Sequence, residues 1–138
     1  MSLRPKTASF LRTRELRATA GRVAVLEALI AAQKPVSAEE LHRDVRSIDL
    51  VTVYRTLQRF LDASLVRAVR FKDTTVRYEL AKDTHHHHLQ CTRCGIVDEL
   101  PDCGLPLNRL ALKRTKKFAA IEEHSLEFFG TCVSCAKG

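Results

Sequence analysis

Ser37-Ala-Glu-Glu-Leu-His-Arg-Asp-Val45, the short break Arg46-Ser-Ile-Asp49, and Leu50-Val-Thr-Val-Tyr-Arg-Thr-Leu-Gln-Arg-Phe-Leu-Asp-Ala63 decide the fold. Ser37 with Glu40 three residues later is a capping box, so a helix opens there and runs to about Val45, burying Leu41 and Val45. The second segment predicts a helix over 50–63 whose core stripe is Val53, Leu57 and Phe60/Leu61. Two short helices joined by a brief turn match a helix-turn-helix. The second helix carries Thr52, Tyr54, Arg55, Thr56 and Arg59 near its N-terminal half and outer face, where major-groove contacts are made.

Working outward, residues 19–32 read as a further helix, with Thr19 as N-cap and Val23, Leu26 and Ile30 along one face. After the pair comes a hairpin pattern: residues 65–71, a polar turn at 72–75, then residues 76–80. Helices followed by a hairpin give a winged-helix order. Lys82-Asp83-Thr84 is a polar break and the expected boundary between residues 1–82 and residues 83–138. Beyond it, residues 85–91 and 96–100 read as strands, 105–117 as a helix, and 118–121 and 125–129 as further elements of a small α/β unit. The expected class is therefore α+β.

The charge is divided along the same line. Residues 1–82 carry 16 Lys/Arg against 9 Asp/Glu, whereas residues 83–138 carry 7 of each, so the whole excess of +7 lies in the first part. A basic helix-turn-helix beside a neutral unit points to a polyanion binder, namely double-stranded DNA. There is no apolar run of 18 residues to span a membrane and no apolar stretch after the basic N-terminus to act as a secretory signal, which predicts a cytoplasmic protein.

The neutral part holds ten of the chain's 11 cysteines and histidines. Cys91-Thr-Arg-Cys94 and Cys132-Val-Ser-Cys135 are two CxxC clips, which together supply the four thiolates of a closed, structural zinc site. The 37 residues between Cys94 and Cys132 mean that such an ion ties the start of the second unit to its end. Four consecutive histidines, His85 to His88, run into the first clip. On a strand they alternate, His85 and His87 on one face and His86 and His88 on the other, so one run can serve two metal sites. Glu79, Glu99 and His124 are candidate partners, since imidazole with carboxylate suits zinc or ferrous iron alike. Cys103, standing alone, reads as a small buried thiol.

Several stretches together resemble the ferric uptake regulator family of metal-dependent repressors, which includes a zinc-sensing branch. They are Arg17-Ala-Thr-Ala-Gly-Arg22, Val36-Ser-Ala-Glu-Glu-Leu41, Thr52-Val-Tyr-Arg55, Tyr78-Glu-Leu80, the run from His85 to Gly95, and the run from His124 to Cys132, in the family's order. The resemblance implies a homodimer joined through the C-terminal unit, with winged helices that bind palindromic operator DNA when metal is loaded. It implies DNA-facing roles for Tyr54, Arg55 and the Arg17–Arg22 region, with Thr52 and Arg59 on the same helix as Tyr54. It places the regulatory metal on Glu79, His86, His88 and Glu99, and a second metal site on His85, His87 and His124.

Departures from the family pattern bear on the metal. Lys34 and Pro35 stand where a histidine is often found, and Leu105-Pro-Leu-Asn-Arg109 lacks the carboxylate usual for the second site. Histidine at position 87 resembles the zinc-sensing branch and Glu79 the iron-sensing one, so the implied regulatory ion is Fe2+ or Zn2+, with Mn2+ compatible. Two rival readings are a metalloenzyme using His85, His87 and Glu123 or His124, and a zinc-stapled interaction module with no role on DNA. The first lacks a HExxH-type helix, and the basic Thr52–Arg59 helix argues against the second.

Overall fold

The structure is a computed structural model that describes residues 4–82, 86–101, 106–122 and 124–138. The chain divides into two compact units, Met1–Lys82 and Asp83–Gly138.

The first unit contains α1 (Arg4–Thr13), α2 (Ala20–Ala32), β1 (Val36–Ser37), α3 (Ala38–Asp44), α4 (Leu50–Asp62), β2 (Val66–Arg70) and β3 (Val76–Leu80). Three helix starts are closed by side chains that satisfy otherwise orphaned backbone donors. The Arg22 N–H donates to Thr19 Oγ1 (3.3 Å), and the Thr52 N–H to Asp49 Oδ1 (2.7 Å). Ser37 and Glu40 exchange both bonds of a capping box, at 3.1 and 2.8 Å. These caps set α3 and α4 four-square to the short turn between them. Gly21 lets α2 approach that turn, because a Cβ there would lie 3.1 Å from Ile48 Cγ2.

One core runs through the unit: Leu11, Val25, Leu26, Leu41, Val53, Leu57 and Phe60 are almost entirely buried. The stripe on α4 is the expected one, with Leu61 only partly buried. On α2 the buried residues are Val23, Val25, Leu26 and Leu29, whereas Ile30 is exposed. That helix is covered by α1 and α4, which shifts and widens its buried face. Helix α1 has no counterpart in the sequence reading: it turns only Thr7 and Leu11 fully inward, too few for a visible periodicity.

The hairpin pairs β2 with β3 antiparallel, from Val66 opposite Leu80 to Arg70 opposite Val76. Strand β1 adds to the other side of β3, with Val36 opposite Tyr78, giving the sheet order β1-β3-β2. The arrangement is a winged helix-turn-helix.

The second unit contains β4 (His87–Cys91), β5 (Val97–Leu100), α5 (Leu107–Leu112), β6 (Glu127–Gly130) and α6 (Val133–Lys137). Strand β4 is central, antiparallel to β5 and parallel to β6. Gly95 turns the chain from β4 to β5 at φ +78°, a conformation that glycine adopts without strain. Helix α5 is shorter than the 13 residues expected and buries none of its described side chains; Leu110 is exposed. Residues 118–121 form no strand: none of the described strands pairs with them, and Phe118 stays 67% exposed. Helix α6 was not legible as a helix beside the second clip.

Candidate functional site

Cys91 closes β4, Cys94 lies in the Gly95 turn, and Cys132 and Cys135 frame the start of α6. Their four Sγ atoms all lie within 4.8 Å of one another. Cys94 Sγ and Cys132 Sγ are 3.7 Å apart. That is close to the ~3.8 Å edge of a tetrahedron with Zn–S bonds of ~2.3 Å, and far from a disulfide. The four cysteines are free thiols in the structure. Backbone N–H groups of Cys94, Cys132 and Arg93 aim at Cys91 and lower its thiol to about 6, so one thiolate exists at neutral pH to receive a cation. Cys135 is pushed up to about 12 by the thiols of Cys132 and Cys94 around it, as expected where four thiols crowd one point without positive charge between them. The residues fit zinc. Arg93 braces the clips, its guanidinium donating to the Cys135 carbonyl at 3.0 Å.

The histidines divide by face. His86 and His88 meet edge to face with ring centroids 5.0 Å apart. His88 is buried and stands opposite Glu99 on β5 and opposite Glu127 on β6. Residues directly across a sheet share a face, so Glu99, His88 and Glu127 form one row. Glu127 was not anticipated; the parallel pairing that brings it beside His88 spans 39 residues and leaves no local pattern. Glu79 belongs to the first unit, where it is buried on β3 opposite Arg67.

His87, only 2% exposed, turns the other way and stacks on His124, with centroids 5.1 Å apart at 30°. Their Nε2 atoms are 3.3 Å apart, and His124 Nδ1 is 2.6 Å from Asn108 Oδ1. Asn108 was passed over in the sequence because only a carboxylate was sought in that stretch. His85, Cys103 and Glu123 lie outside the described residues, so the set expected for an open catalytic zinc is not described as a whole.

On the first unit, Tyr54, Arg55 and Arg59 are exposed on α4 and Thr52 is half-buried. Thr56 was expected on that outer face, yet it is only 5% exposed, because position 56 follows Val53 around the helix into the core. The Tyr54 hydroxyl donates to Glu39 Oε1 on α3 at 2.7 Å, which holds the Glu39 carboxyl below its usual range and raises the phenol. Arg17 is exposed, and Arg22 donates from Nη1 to the Arg17 carbonyl at 3.1 Å, fixing the entry to α2.

Residues 13–129 match the model of the ferric uptake regulator family. A ferric uptake regulation protein of Cupriavidus metallidurans is 34% identical over 122 residues, 85% of each chain. The crystal structure of the Vibrio cholerae ferric uptake regulator superposes with a TM-score of 0.74 at 33% identity, over 91% of this chain and 98% of that one. A zinc-bound manganese uptake regulator gives 0.73 at 28% identity, over 96% and 100%. The match runs through the helix-turn-helix, the wing, the histidine run and the first clip, and this chain belongs to the ferric uptake regulator family of metal-responsive transcriptional repressors.

Proposed function

We propose that the protein is a cytoplasmic homodimeric repressor that grips operator DNA when its regulatory ion is bound. The observation that carries this reading is the exposed Tyr54, Arg55 and Arg59 on α4 of a unit that holds all of the chain's excess positive charge. Residues 1–82 are the DNA-binding domain and residues 83–138 the metal-binding and dimerisation domain. Arg17, Arg22, Thr52, Tyr54, Arg55 and Arg59 contact DNA, some at phosphates and others at base edges. Phe118, Ile96 and Val133 are large apolar side chains exposed on a small unit, which supports a second copy as their cover.

Cys91, Cys94, Cys132 and Cys135 hold zinc structurally. Glu79, His86, His88 and Glu99 take the regulatory ion, and His85, His87 and His124 a second one. Two imidazoles with carboxylates suit Fe2+ or Zn2+, and also admit Mn2+. Because Glu79 is in the first unit and the other three are in the second, an ion taken by all four couples metal occupancy to DNA affinity. A coupling of about 1–3 kcal/mol changes that affinity roughly 5- to 150-fold.

The test is fluorescence anisotropy on operator fragments selected from random double-stranded DNA, with zinc retained at the cysteines and Fe2+, Zn2+ or Mn2+ added in turn. At least one ion is expected to tighten binding within that range. Equal binding with chelator and with every ion would refute the reading.

A further inference from the structure

Asn108 makes two contacts that together fix the state of a neighbouring histidine. Its Nδ2 donates to the Ile121 carbonyl at 3.3 Å, which turns its Oδ1 toward His124. An amide oxygen only accepts, so at 2.6 Å the Nδ1 of His124 carries the proton and donates. In the neutral ring Nε2 is then the bare nitrogen, and it points at Nε2 of His87. The separation of 3.3 Å is long for a nitrogen–nitrogen hydrogen bond. It equals the distance between two ligands of a tetrahedral ion at ~2.0–2.1 Å, which is ~3.3–3.4 Å.

We propose that Asn108 is a positioning residue that sets the tautomer of His124, so that Nε2 of His124 and Nε2 of His87 converge on a borderline divalent cation of the zinc class. This rests on the reading of His85, His87 and His124 as a second metal site and deepens it by naming the class of ion. Histidines that ligate metals donate their other ring N–H to a partner that holds the ring in place, and the partner here is a neutral amide. The described donors at this point are imidazoles without a carboxylate. Such a set favours Zn2+ or Co2+ over Mn2+ or Mg2+, which prefer oxygen.

The experiment titrates Co2+ into full-length His86→Ala/His88→Ala protein that already carries zinc at its cysteines, and reads the visible absorption of the bound ion. A background with native His87 and His124 should show one Co2+ band, displaced by Zn2+ and not by equimolar Mn2+. In that background Asn108→Ala should weaken Co2+ binding about 10- to 100-fold, and Asn108→Asp, which restores an acceptor of the same length, should recover it. His124→Ala should abolish the band. Loss with His124→Ala but unchanged affinity with Asn108→Ala overturns the role of Asn108 while leaving the site. Displacement by Mn2+ as effective as by Zn2+ overturns the class of ion. A full band in the His124→Ala protein overturns the second site itself.

Discussion

Tyr54 on α4 and Glu39 on α3 are joined side chain to side chain, the phenol donating to the carboxylate at 2.7 Å. The bond ties the two helices of the DNA-binding pair on their exposed side, while Leu41, Val53 and Leu57 tie them inside. It also holds the Tyr54 ring in one orientation on the face proposed to meet bases.

That bond has a pH signature. Its donor holds the Glu39 carboxyl below the usual value of 4.5, so the stabilisation is present above about pH 4.5 and fades as pH falls through the lowered value. Tyr54→Phe removes the donor and should cost less than about 1 kcal/mol at neutral pH, because the site is exposed. Between pH 6 and pH 3 the variant should lose less melting temperature than the parent. Identical pH profiles for the two proteins would show that the bond contributes nothing in solution.

The cysteine cluster makes a second, larger demand. Cys91→Ser or Cys132→Ser removes one thiolate from a site whose sulfurs stand at tetrahedral spacing. Structural zinc contributes on the order of 10 kcal/mol in small peptides, and the second unit has few buried side chains to compensate. Either variant should lose stoichiometric zinc, melt lower and dimerise less, as measured by metal analysis, calorimetry and sedimentation. A variant that keeps all three properties would remove the structural role from this zinc.

Salt dependence separates the contacts on α4. If Arg55 neutralises a phosphate, Arg55→Ala should weaken DNA binding on all sequences and reduce the salt slope by about one. Tyr54→Ala, if the ring reads a base, should cost about 1–3 kcal/mol and relax sequence preference with little change in slope. Neither should alter metal content. Parental affinity in both would move the DNA-contacting surface off α4.

Why some of this was legible and some was not follows from the range of each interaction. The capping box of Ser37 and Glu40, the stripe of Val53, Leu57 and Phe60 and the polar turn at 72–75 are encoded within a few residues, and they appear in the structure as read. Local patterns failed where the partner is distant. Leu11 of α1 is buried by helices that follow it, and the row of Glu99, His88 and Glu127 exists only because β4 runs parallel to β6. Residues 118–121 show the opposite error: apolar content suggested a strand, but a strand needs a neighbour, and Phe118 has none among the described elements. Asn108 was missed for a chemical reason, since a residue that orients a ligand need not be one of the residue types sought as ligands.

The most direct test compares His86→Ala/His88→Ala with His85→Ala/His87→Ala in metal-activated binding to operator DNA, with cysteine-bound zinc and dimer content measured alongside. His88 stands in the row with Glu99, whereas His87 faces His124 on the opposite side of the strand. Assignment of the regulatory ion to Glu79, His86, His88 and Glu99 predicts that the first double variant keeps its zinc and its dimer but loses the roughly 5- to 150-fold activation by metal. A first variant that stays fully metal-responsive, beside a second that does not, would contradict that assignment and put the sensing ion on the His87 face.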